Sequence, residues 1–187
     1  MQITLKQKNE IKNAISNSNF YRNEKVWTYF IASIIETSQN KDYYLSLFTS
    51  DNISFPSDME LWFEAQPIPP RKGNSGFSEG NTKLDLSFGN IEKRSGTDSG
   101  IQYKIENNGW VCFIEAKLFS DCSNDTSYDP LRNQITRVIE NLLCSQNNKV
   151  LPDKTNFSLL TPRIFKNNST SKLYGYKYQE YQNSDML

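Results

Sequence analysis

Between Glu24 and Thr37 the apolar residues Val26, Trp27, Phe30, Ile31, Ile34 and Ile35 recur at helical spacing, which predicts an amphipathic helix. A shorter, more solvated helix is expected over Leu5 to Ile15, and residues 38–48 extend the strong helix or begin another. The period then changes from 3.6 to 2. Met59 to Ala65 reads as a strand, closed by Pro67-Ile-Pro-Pro70 and a loop rich in Gly, Ser and Asn from Arg71 to Asn81. Thr82 to Phe88 alternates, with Leu84, Leu86 and Phe88 on one face and Lys83, Asp85 and Ser87 on the other. Residues 89–109 carry four glycines and a short strand candidate at Ile101 to Ile105, the pattern of a hairpin or extended connection. Trp110 to Ile114 is apolar on both faces, as a central strand buried on both sides must be.

After a loop, positions 131, 135, 138, 139, 142 and 143 predict a helix from Leu131 to Leu143, with Asp129 as N-cap and Pro130 at the first helical position. Asn156 to Phe165 is the next strand candidate, and the alternating tail 172–181 reads as an edge strand. Helices and strands interleaved in this order imply an α/β fold. A chain of 187 residues is expected to form one domain and is long enough to bury its own core.

Aromatics make up 13% of the chain, so the core should rest on large rings. Lys and Arg total 21 against 21 Asp and Glu, so no global field draws the protein to nucleic acid, and any such surface is a local patch. Three cysteines, at 112, 122 and 144, lack the spacing of a disulfide framework or a zinc site. With no apolar leader and no membrane-length segment, the expectation is a cytoplasmic protein with no membrane partner. Histidine is absent, which excludes Ser-His-Asp and Cys-His hydrolases and His-ligated zinc enzymes. Hydrolysis by this chain has to run on carboxylates, lysine and metal.

Glu115-Ala-Lys117 directly follows the buried-type strand, and Glu115 and Lys117, two apart, share a face. Burying either charge costs several kcal/mol unless it is paired or metal-bound. Together with Asp85 on its alternating strand, this is the residue set of a metal-dependent phosphodiesterase.

The order of elements over about residues 20–165, with Asp85, Glu115 and Lys117, resembles the PD-(D/E)XK nuclease superfamily. That resemblance implies a restriction-endonuclease-like fold, a central mixed β-sheet flanked by helices on both sides. It further implies Mg2+ (with Mn2+ as substitute) held by Asp85, Glu115 and the backbone carbonyl of Ala116. Lys117 would orient the attacking water, assist its deprotonation, or offset transition-state charge. A glutamate on the first helix often joins such sites; Glu24 and Glu36 are candidates, and Arg-Asn-Glu-Lys-Val-Trp-Thr favours Glu24. Gln134 matches the glutamine of the following helix. Val138 stands where RecB-like members have tyrosine, and Leu84 stands where a proline often precedes the aspartate.

The implied activity is that of a nuclease, with an endonuclease acting on DNA as the expectation. Arg71, Lys72, Lys93, Arg94, Arg132 and Arg137 are the candidate phosphate contacts, each equally readable as a solvated charge. The neutral net charge suits a subunit delivered by a protein partner, and the edge strand expected in the tail offers a homodimer by strand addition. Two other readings compete: a non-catalytic binding module on the same fold, and an unrelated α/β domain in which Glu115 and Lys117 are only an internal ion pair.

Overall fold

The computed structural model of the chain describes residues 1–49, 53–56, 58–70, 82–123, 133–168 and 171–183. Three helices open it: α1 (Leu5–Ile15), α2 (Glu24–Thr37) and α3 (Lys41–Ser46). Each start has a local cause. Thr4 and Gln7 form a capping box, the Gln7 N–H donating to the Thr4 hydroxyl at 3.2 Å and the Thr4 N–H to the Gln7 side chain at 2.7 Å. Asn23 caps α2 by accepting from the Val26 N–H, and Glu24 follows in the first turn, where the helix dipole favours an acid.

Strands β1 (Trp62–Ala65), β2 (Leu84–Gly89), β5 (Trp110–Ala116) and β6 (Lys154–Leu160) form one sheet in the order β1-β2-β5-β6. The first two pairings are antiparallel and the last is parallel, so the sheet is mixed. Between β2 and β5 a small hairpin, β3 (Ile91–Lys93) with β4 (Ile101–Tyr103), folds separately. It begins at Gly89, whose φ of +117° suits glycine, and a Cβ there would meet the Trp110 carbonyl at 2.5 Å. Helix α4 (Gln134–Leu143) makes the crossover from β5 to the parallel β6, and α5 (Arg163–Asn167) and α6 (Leu173–Asn183) close the chain.

Every residue of β5 is buried, as its doubly apolar sequence requires. Its even-numbered side chains Cys112 and Ile114 join Leu86, Phe88, Ala32, Ile35, Leu45 and Ile11 in a cluster under α1, α2 and α3. The odd-numbered Val111 and Phe113 join Ile91, Ile101, Tyr103, Val138 and Leu142 under α4 and the hairpin. The domain is therefore a mixed α/β layer structure with helices on both faces of the sheet. Among the described residues no helix is long and apolar enough to cross a membrane.

Four local expectations change. Strand β1 starts at Trp62 rather than Met59, and Gln2 pairs along its outer edge through backbone bonds with Leu61 and Phe63. Strand β6 ends at Leu160, because Pro162 breaks it and α5 runs where the strand was expected to continue to Phe165. The visible cap of α4 is Asn133, which accepts from the Thr136 N–H at 2.9 Å; the expected Asp129 and Pro130 lie outside the described residues.

The tail is a helix, not an edge strand. Asp121, far away in sequence, accepts the N–H groups of Leu173 and Tyr174 at 2.7 and 3.1 Å and so caps α6 from another loop. Strand addition through that segment loses its basis.

Candidate active site

Strands β2 and β5 run antiparallel with Leu86 opposite Ile114, and one further step of that register sets Asp85 opposite Glu115 on the face carrying Phe113. The Asp85 carboxylate accepts the Ala116 N–H at 2.7 Å. The N–H and C=O of one strand residue point the same way, so the Ala116 carbonyl shares that edge with Asp85. The Lys117 N–H alternates to the other side and donates to Leu160 of β6 at 2.9 Å.

Glu115 is 1% exposed and Lys117 5%, which removes the reading of a solvated strand-end pair. The Lys117 ammonium lies 2.8 Å from Glu115 and 3.4 Å from Glu24. Glu24, first residue of α2, also accepts the Leu118 N–H at 2.8 Å and the Ser120 hydroxyl at 2.6 Å. Glu36, the other glutamate considered, sits at the far end of α2 and pairs with the Met1 amino group and Lys41. Gln134 opens α4 and donates through its side-chain amide to Glu115. Arg137, one turn on, is near enough for its charge to act on Glu115.

Five of the expected residues thus meet at one end of the sheet: Asp85, Glu115 and Lys117 from strands, Glu24 and Gln134 from the first turns of helices on either side. Lys93 and Arg94 lie on the small hairpin, Lys93 exposed and Arg94 half-buried. Arg71, Lys72 and Arg132 lie outside the described residues.

No family model, curated protein or solved structure matches this chain.

The electrostatics follow from burial. Desolvation and the neighbouring Glu115 charge push Asp85 well above the ordinary carboxylate range. Burial pushes Glu115 up as well, although Lys117 opposes it. Burial alone would lower Lys117; the charges of Glu115, Glu24 and Asp85 outweigh it and hold its pKa above the ordinary lysine value. Three acidic side chains share a poorly solvated place with Lys117 and the nearby Arg137, an excess of acids over cations that burial relieves by holding a proton on Asp85.

That excess is the structural sign of fit to a divalent cation. Asp85, Glu115 and the Ala116 carbonyl are hard oxygen donors, the type Mg2+ or Mn2+ takes while keeping several waters. Among the described residues no group of three His, Cys, Asp or Glu side chains has metal-holding geometry, and Glu24 is engaged by Lys117, the Leu118 N–H and the Ser120 hydroxyl.

Four features in and around the site were not legible in the pattern. Ser120 and the Leu118 N–H fix Glu24 and follow no recognisable spacing. Glu64, opposite Asp85 in the β1–β2 register, has φ +45° and pairs with Lys25 at 2.8 Å. Trp27, expected in the core from its helical period, is 41% exposed and faces a cavity beside Lys117.

Proposed function

We propose that this chain is a divalent-metal-dependent nuclease with a restriction-endonuclease-like fold, hydrolysing phosphodiester bonds in nucleic acid. The observation carrying this reading is the buried convergence of Asp85, Glu115 and Lys117, braced by Gln134 and Glu24. Asp85, Glu115 and the Ala116 carbonyl would hold Mg2+, which when bound supplies Lewis-acid polarisation of a phosphoryl oxygen and a more acidic water.

The side chains divide the remaining work. The carboxylates around Lys117 favour its charged form, and from that position it would orient water and offset negative charge developing on the phosphoryl group. Gln134 and Lys117 both hold Oε1 of the Glu115 carboxylate, which limits its rotation. Glu24 tethers Lys117 to the loop after β5 and sets the direction of the ammonium.

A non-catalytic binding module on the same fold is favoured by one observation: Gln134 and Lys117 already engage the Glu115 carboxylate without a metal. The reading of Glu115 and Lys117 as an isolated internal pair loses ground, because Asp85 lies against the same strand.

Calorimetric titration of Mn2+ into wild type and Glu115→Ala, with folding checked by circular dichroism, separates the two remaining readings. A nuclease binds metal in wild type only, and cleaves oligonucleotides in a metal-dependent way that Asp85→Ala and Lys117→Ala abolish. No metal binding by folded wild type moves the assignment to the binding module.

A further inference from the structure

A cavity of about 250 Å³ adjoins the site, and Glu24, Trp27, Ile31, Lys117, Leu118 and Pro162 are among the residues that line it. We propose that it receives one unpaired nucleobase of the substrate strand, making single-stranded or frayed nucleic acid the preferred substrate class; this rests on the nuclease reading.

The lining supports a planar apolar guest. The Trp27 indole N–H already donates to the Tyr21 carbonyl at 2.7 Å, so its one polar atom is satisfied and the ring direction is set before any ligand arrives. Its exposed ring borders the cavity, as stacking on a base requires. Lys117 and Glu24 border the same cavity, so a base held there lies next to the backbone being cut. A base inside a closed duplex cannot reach such a cavity without being unstacked and unpaired.

Charge and continuity point the same way. A larger cavity of about 680 Å³ shares Thr161 with the first and is bordered by Arg163, Lys166, Phe165 and Tyr178. Arg163 and Lys166 are exposed and three apart on α5, which gives a phosphate-binding face with aromatic rings beside it. Net charge is zero, so long-range attraction to duplex phosphates is weak and binding has to draw on stacking and this local patch.

The test uses the full chain carrying Asp85→Asn to stop cleavage, with anisotropy of a labelled oligothymidylate and of a blunt duplex. Tighter binding of the single strand is expected. Trp27→Ala should weaken it about tenfold while duplex binding stays unchanged. Trp27→Leu keeps apolar cover over Ile31 and should lose nearly as much, which guards against a folding artefact in the alanine variant. Arg163→Ala with Lys166→Ala should weaken single-strand binding and flatten its salt dependence. Equal or better duplex binding, or folded Trp27 variants with wild-type affinity, overturns the base pocket and leaves the nuclease reading standing. No binding of either nucleic acid, with no metal-dependent cleavage by wild type, overturns both.

Discussion

Adjacent residues of α2, Glu24 and Lys25, belong to two lysine–carboxylate networks that look alike and behave oppositely. Lys25 bridges Glu10 and Glu64, both at 2.8 Å; Lys117 bridges Glu115 at 2.8 Å and Glu24 at 3.4 Å. In the first network the hydrogen bond and charge of Lys25 hold the Glu10 carboxyl below its ordinary value. In the second, burial lifts Asp85 and Glu115 above theirs. The composition of a charged cluster therefore says little about its role. Access to solvent decides whether the acids rest as ion pairs in a scaffold or retain a demand for more positive charge.

The sharpest way to break the comparison is activity. Lys117→Ala should lower metal-dependent cleavage on the order of 10²–10³-fold in single-turnover assays, while Lys25→Ala leaves the rate within a few-fold. Comparable losses from both would merge the two networks into one site.

Stability separates them next, with opposite signs. Lys25→Ala leaves Glu64 buried in β1 without its partner and should cost about 1–2 kcal/mol, between the surface and interior limits for ion pairs. Asp85→Asn removes a buried charge but keeps an acceptor for the Ala116 N–H, and should gain about 1–2 kcal/mol in chelator-treated protein at alkaline pH. Urea denaturation of the three proteins measures both.

The sign of the pH dependence follows. Asp85 has a folded pKa above its unfolded one, so the folded state binds the proton more tightly; the stability this contributes is present at low pH and is lost as pH rises through the raised value. Chelated wild type should lose stability as pH rises from the ordinary carboxylate range to about 8, and Asp85→Asn should show a flatter profile. Bound Mn2+ competes with these protons, so its affinity should rise over the same interval. A pH-independent affinity would mean that neither acid is a ligand.

The smallest expected effect is at Ser120, whose hydroxyl donates to Glu24. Ser120→Ala removes a hydrogen bond worth about 1 kcal/mol and should lower kcat a few-fold without raising KM, as fits a residue that positions Lys117 through Glu24.

Much of this molecule could be read along the chain. The bounds of α1 and α2 match the apolar period, and the doubly apolar run at Trp110–Ile114 becomes the fully buried β5. Asp85, Glu115 and Lys117 stood out because a strand pattern makes a charge on an apolar element expensive wherever it is buried. Gln134 and Glu24 came only through resemblance, and the fold brings both to that cluster.

Pro162 ends β6 locally, but the two larger failures are non-local. Alternating tyrosines at 172–181 satisfy a strand pattern equally well, and only the Asp121 carboxylate, supplied by the loop after β5, ends the ambiguity by capping α6. Trp27 has the period of a core residue, yet its place near the first turn of α2 leaves it at the rim of a cavity. Periodicity reports which face of an element is apolar; it does not report how far the neighbouring layer extends to cover it.

The sequence by itself determined the α/β order of elements, the absence of histidine chemistry and the few carboxylates and the lysine able to replace it. Tertiary structure alone decided which charges share one desolvated space, because a pKa depends on distance and solvent, and both are set by the pairing of β2 with β5 and the docking of α2 and α4 on opposite faces of the sheet.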